Sequence, residues 1–248
     1  MTAQAVRIAM WSGPRNISTA MMRAFENRAD AVVWDEPFYG HYLAETGLDH
    51  PMASEIIAAY ENDWRKVAER ATGPLPDGKA VFYQKHMTHH LLPRMGIDWL
   101  DGLTNAFLIR DPARVLASYI EKRAEVTLED LGLPQQQRIF DWACQRWGEV
   151  PPVLESDDVL ANPEGMLRAL CQAAGIPFDP AMLSWPAGKR DSDGLWRAHW
   201  YGAVEKSTGF VASARSAVQV PDHLQGLLAA AQPYYEALRP HRLAPISD

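Results

Sequence analysis

The sequence predicts an α/β fold: a single three-layer domain over residues 1–248 with a mainly parallel central sheet. Strand-length apolar or mixed runs at 6–11, 31–34, 80–84, 105–109 and 152–155 alternate with helical patterns at 17–28, 54–71, 113–123, 135–148 and 163–174. Alternation of this kind demands crossover connections and puts helices on both faces of the sheet. The length of 248 residues, with 47% hydrophobic and 22% charged side chains, suits one sizeable core and excludes wholesale disorder. No internal repeat or low-complexity tract divides the chain.

The first strand pattern runs into WSGPRNISTAMMRAF, where Ile17, Met21, Ala24 and Phe25 recur at helical spacing. Strand, glycine-containing loop and helix point backbone N–H groups and a helix dipole at an anion. Arg15 adds a permanent cation with a planar donor fork, and Ser18 and Thr19 put hydroxyls in the first turn. A Walker A loop would close on Gly-Lys and a hydroxyl residue; here Arg15, Asn16, Ile17, Ser18 and Thr19 stand in its place.

Later elements are legible from their ends. Asp35 and Glu36 follow the second strand pattern, at the carboxyl edge where open sheets bind ligands. A carboxylate there is either a base or hydroxyl ligand, or a capping turn. Residues 72–79, with two prolines and two glycines, form a loop. In YQKHMTHHLLP, Lys85 and His86 face opposite sides of a strand, so one of them reaches a pocket there, and His89 and His90 begin a helix. His86 is the leading candidate base of this stretch, since imidazole accepts a proton near neutral pH. Asp111-Pro112 and Asn162-Pro163 are N-cap signals, and Gly175 stops the last helix of the alternating set. Arg110 ends a strand and Ser118 lies eight residues on, so both can converge on one phosphate. Residues 185–214, rich in Trp, Gly, Ser and charge, form a lid or binding loop, and a final helix over 221–238 packs outside.

Composition narrows the function. A net charge of −7 argues against nucleic-acid binding, yet leaves room for a local basic cluster around a small anion. Cys144 and Cys171 are not spaced for a disulfide framework or a thiolate metal site, and His86, His89 and His90 lack a carboxylate ligand pattern, so no metal is expected. With no charged leader and no apolar run of membrane length, the expectation is a soluble, cytoplasmic protein with no membrane partner. Oligomeric state is not encoded in any feature of the chain.

Together these segments resemble the sulfotransferase superfamily, whose donor is 3′-phosphoadenosine-5′-phosphosulfate (PAPS). PRNIST takes the place of that family's PKSGTTW-like loop: Arg15 matches its lysine, Ser18 and Thr19 its threonines, and Ile17 stands where it has glycine. Arg110 and Ser118 match its 3′-phosphate grip, and QKHMTHHLLP aligns with its KTHLP stretch, which puts His86 on the catalytic histidine. WDEPF looks like the early glutamate of other branches, so Glu36 and His86 compete for the role of base. The stretch from Leu154 to Phe178 is similar to the YEDL region, and the likeness spans roughly residues 6–178. The resemblance implies the P-loop NTPase-like sulfotransferase fold and transfer of a sulfuryl group from PAPS to a hydroxyl or amine of a small-molecule acceptor, without metal. Arg15 and the loop N–H groups would carry the leaving charge. A C-terminal basic loop would close on the 3′-phosphate, with Lys206 beside Ser207 and Gly209 as the candidate and Lys189-Arg190 as the other. The rival readings are a P-loop kinase or phosphohydrolase, and a non-catalytic nucleotide-binding member of the fold.

Overall fold

A computed structural model describes residues 5–76, 78–120, 125–212 and 218–247. Its five strands are β1 (Val6–Ser12), β2 (Ala31–Asp35), β3 (Val81–Met87), β4 (Thr104–Ile109) and β5 (Val153–Glu155). They form one all-parallel sheet in the order β2-β3-β1-β4-β5. The first strand is therefore central: Val6 pairs with Val81 on one side and Ile8 with Thr104 on the other. Each predicted strand is present to within three residues at its ends.

The helices are α1 (Ser18–Glu26), α2 (Tyr39–Thr46), α3 (Ala53–Ala59), α4 (Trp64–Thr72), α5 (Pro112–Ile120), α6 (Leu128–Leu131), α7 (Leu133–Trp147), α8 (Ser156–Ala161), α9 (Pro163–Ala173), α10 (Arg197–Trp200) and α11 (Gln225–Leu238). The sheet is sandwiched between two apolar layers. On one face Met21, Met22 and Phe25 of α1 and Met166, Leu167 and Leu170 of α9 pack on Ile8, Met10, Tyr83 and Leu108. On the other, Val67 of α4, Ile139 and Phe140 of α7 and Leu238 of α11 pack on Ala9, Trp11, Phe107 and Ile109. A strand covered on both sides presents no face to solvent, and all seven residues of β3 are buried, Gln84, Lys85 and His86 included.

The caps behave as their side chains require. Asp111 Oδ1 accepts from the Ala113 N–H at 2.8 Å, and Asn162 Oδ1 from the Gly165 N–H at 3.0 Å. The single helix expected over 54–71 is two. Tyr60 turns extended after α3, and Asp63 restarts the chain by accepting from the Arg65 N–H at 3.0 Å. The helix expected from His89 is only a 3₁₀ turn, Thr88–His90. Helices α2, α6 and α8 lie outside the predicted patterns. The end of the helix expected over 113–123 falls at 121–123, beyond the described residues, as do 213–214 of the expected lid. The rest of that lid contains α10 and the 3₁₀ turn Val204–Lys206. Among the described residues no helix is long and apolar enough to cross a membrane.

Candidate active site

A cavity of about 460 Å³ opens at the carboxyl edge of the sheet. This is the region where the chain leaves β1 for β2 on one side while β4 lies on the other, the usual ligand crevice of an open parallel sheet. The loop between β1 and α1 forms its floor, from Pro14 to Ala20. That loop is tightly wound: Arg15 and Ile17 both take left-handed backbone conformations, with φ of 62° and 55°. Such conformations cost a β-branched residue of order 1–2 kcal/mol and persist where the surroundings over-determine them. Those surroundings are visible. Asn16 Nδ2 donates to the Leu108 carbonyl at 3.1 Å, Ser156 Oγ to the Asn16 carbonyl at 3.1 Å, and Arg110 Nη1 to the Arg15 carbonyl at 2.6 Å. A side chain at Gly13 would collide with the Leu131 carbonyl, which explains the one glycine the loop keeps.

One end of the cavity is cationic. Arg15 Nε donates to Ser118 Oγ at 2.9 Å, and Arg15, Arg110 and Ser118 all line the wall with Ser18 and Thr19 at the start of α1. Arg110 Nε is buried with no hydrogen-bond partner. Burial pushes the Arg110 guanidinium down; Asp157 opposes that, while Arg114 and Arg15 add to it. Clustered guanidinium groups, an unsatisfied N–H and a helix N-terminus together suit an anion.

The other end is acidic and aromatic. Lys85, at the end of β3, is 2% exposed and donates to Asp35 Oδ1 at 2.9 Å, to Glu36 Oε1 at 2.5 Å and to Tyr201 Oη at 2.7 Å. Tyr201 Oη in turn lies 2.7 Å from Asp35 Oδ2, to which it donates, and the Gly194 N–H reaches the same carboxylate at 3.1 Å. Burial alone would lower the Lys85 ammonium, but Asp35 and Glu36 outweigh it and hold it raised and charged. Burial, only partly opposed by Lys85, lifts the Glu36 carboxyl, and Asp35 lifts it further. Glu36 lines the cavity with φ of 41°, a third strained residue at the same place. Tyr39, His50, His89, His90 and Trp200 complete this end. Among the described residues no three His, Cys, Asp or Glu side chains come together as a metal-binding set.

The cavity thus gathers Arg15, Asn16, Ile17, Ser18, Thr19, Glu36, Arg110 and Ser118 of the residues picked out from sequence. It does not gather His86. Lys85 takes the inward side of β3, which turns His86 to the opposite face, where its ring stacks on Trp11 at 4.3 Å and its Nε2 lies 3.0 Å from Gln84 Oε1. Burial drives that imidazole down to about 3. Lys206 is also outside: its side chain is exposed, and its neighbours Ser207 and Gly209 line the wall instead. Lys85, His50 and Tyr201 were not picked out as site residues. Strand alternation signalled that either Lys85 or His86 faced inward, but not which, and Tyr201 reaches the site only through folding of a long loop.

Residues 6–242 match the family model for the sulfotransferase domain. The chain belongs to the sulfotransferase domain family. Solved sulfotransferase structures share the fold. The sulfotransferase domain from the curacin biosynthetic pathway superposes with a TM-score of 0.58 at 15% identity, covering 98% of this chain and 100% of that one. The sulfotransferase domain of the Synechococcus PCC 7002 olefin synthase gives 0.53 at 16%, and a sulfotransferase from Alicyclobacillus acidocaldarius 0.54 at 12%, each covering 96% of this chain and 97% of the other. Two curated Arabidopsis thaliana relatives, branched-chain-amino-acid aminotransferase-like proteins 2 and 1, are 35% and 34% identical over 231 residues. The match takes in 93% of this chain but only 41% of either relative.

Proposed function

We propose that this sulfotransferase takes PAPS as donor and passes its sulfuryl group to a hydroxyl of a small-molecule acceptor, with Glu36 as the base. The observation that carries the reading is the division of one cavity into a cationic end and an end where a strained, partly buried carboxylate stands beside an ammonium. The unpartnered Arg110 Nε and the Arg15–Ser118 contact fit an anionic, doubly phosphorylated donor. Arg110 and Ser118 would hold its 3′-phosphate, and Arg15, Ser18, Thr19 and the first N–H groups of α1 its phosphosulfate. When bound, the donor supplies an activated sulfur–oxygen bond.

The chain's own residues supply the rest, much as in phosphoryl transfer, where positioning and charge stabilisation dominate. Glu36 accepts the acceptor hydroxyl proton as that oxygen bonds to sulfur. Lys85 favours the ionised form of Glu36, and burial, which outweighs it, raises the basicity of the carboxylate. Arg15 and the loop N–H groups balance the charge left on the departing phosphate oxygen as its bond to sulfur breaks. His86, buried behind Trp11, has no route to this proton.

Calorimetry tests the donor assignment. Adenosine 3′,5′-bisphosphate is expected to bind at least about tenfold tighter than AMP, the worth of one or two phosphate hydrogen bonds. Equal affinities, or a preference for ATP with magnesium, would instead favour the kinase-like reading.

A further inference from the structure

The three N–H bonds of Lys85 have three close acceptors: Asp35 Oδ1, Glu36 Oε1 and Tyr201 Oη. An ammonium has no fourth donor. The one lysine or arginine side chain at this end among the described lining residues is therefore spent, and Asp35, Glu36 and Lys85 sum to one negative charge. The phenol of Tyr201 adds no compensation, because burial and the two carboxylates hold it well above its ordinary value and keep its proton on. His90, stacked on Tyr39 at 4.5 Å, is held neutral: burial pushes it well down, and His89 and His50 push the same way. The guanidinium groups of Arg15 and Arg110 lie at the other end, where the donor's phosphates would engage them.

From this we infer that the acceptor is a hydroxyl compound carrying no anionic group, and that Asp35, which lies behind the cavity wall and does not line it, sets this selectivity. The inference rests on the reading of the cavity as a sulfuryl-transfer site. Asp35 is 1% exposed on its side chain and takes hydrogen bonds from Lys85, Tyr201 and Gly194. By binding Lys85 from behind it occupies one N–H, and by its own charge it tips the balance to −1. An acceptor carboxylate, phosphate or sulfate would meet the net negative charge of this trio, whose one ammonium has no N–H left to offer it. A neutral or ammonium-bearing alcohol meets a carboxylate and aromatic rings instead.

Three phenols of one shape separate these cases: tyramine, 4-ethylphenol and 3-(4-hydroxyphenyl)propionate, titrated into the protein saturated with adenosine 3′,5′-bisphosphate. Tyramine and 4-ethylphenol are expected to bind about tenfold or more tighter than the propionate. In Asp35→Asn that gap should close by about threefold or more, although residue 35 touches no ligand. Should Asp35→Asn fail to fold, Tyr201→Phe carries the same expectation, since it releases one Lys85 N–H. A propionate bound as tightly as the others, binding of none of the three, or an unchanged ratio in the folded variant overturns the inference. Repeating the titrations without the bisphosphate keeps the two readings apart. If the bisphosphate does not bind but the charge ranking holds, the donor assignment falls and this selectivity stands.

Discussion

Arg110 Nη1 donates to the main-chain carbonyl of Arg15 at 2.6 Å, so one guanidinium at the end of β4 braces the backbone that presents another. Arg110→Ala removes a charge from the cationic end and a brace from a residue at φ 62° together. Its affinity for adenosine 3′,5′-bisphosphate should fall by roughly 10- to 100-fold, the value of a charged hydrogen bond, and its affinity for AMP far less. Isothermal titration of both nucleotides checks this.

Glu36 and His86 separate cleanly by mutation. Glu36→Gln keeps the shape but cannot take a proton, and should lower kcat by roughly 10²- to 10⁴-fold at saturating donor. Activity should rise with pH through the carboxyl's raised value, so the acid limb lies above the ordinary carboxylate range and is absent from the residual activity of the variant. His86→Phe retains a ring to stack on Trp11 and should keep its kcat, while leaving Gln84 Oε1 unpartnered at about 1–3 kcal/mol of stability. A comparable loss of kcat in His86→Phe would return the imidazole to contention.

Stability should respond to pH through Glu155. Burial pushes this carboxyl up to about 7; the 2.8 Å hydrogen bond from Tyr235 opposes that, and Asp157, Asp158 and Asp111 add to it. A carboxyl whose value is raised on folding holds its proton more tightly folded than unfolded. Its contribution is full below about 4.5 and is lost as pH rises toward 7, by on the order of 3 kcal/mol. His86 acts in the opposite sense: depressed to about 3, it contributes above about 6.5 and loses that contribution as pH falls. Urea denaturation of Glu155→Gln from pH 4.5 to 7.5 should show the first slope removed, leaving stability that climbs with pH.

Lys85→Met should be among the most damaging single changes. Asp35 and Glu36 would be left facing each other without their cation, which costs about 3–5 kcal/mol when a buried pair is broken. Adding Asp35→Asn should restore part of the loss, since it removes one of the stranded charges. Thermal unfolding of the single and double variants measures the recovery.

Ile17→Gly is expected to raise stability slightly, by up to about 1 kcal/mol. The strain of a β-branched residue in left-handed backbone is released, and the extra freedom of glycine in the unfolded chain takes back part of the gain. The bisphosphate affinity should hold or improve. A fall in both would mean that the isoleucine side chain supports the loop through its packing on α1 and the sheet.

The strands were legible because a sheet buried on both faces writes itself as short apolar runs, and strand ends then locate the ligand edge. Arg15, Glu36 and Arg110 followed from that rule alone. The same double burial hid the choice at β3, where all seven positions are buried and period two gives no sign of which side holds the cavity. Resemblance then favoured His86, but Lys85 has two carboxylates to meet on the inner side and His86 has Trp11 on the other. Helix α2 escaped notice because Gly40 and a run of aromatic residues mask its period. Tyr201 meets Asp35 across 166 residues, a distance over which no local pattern reports.

The position of β1 reaches beyond the site. It is made first, yet Val6 waits for Val81 and Ile8 for Thr104 before either edge has a partner. Until then a strand carrying Ile8, Met10 and Trp11, all fully buried in the end, stands bare. Sheets closed by such distant pairings are slow to assemble and exposed to aggregation while they do so. Yield of this protein should therefore depend on the rate of synthesis and on chaperones as well as on the stability of the finished fold.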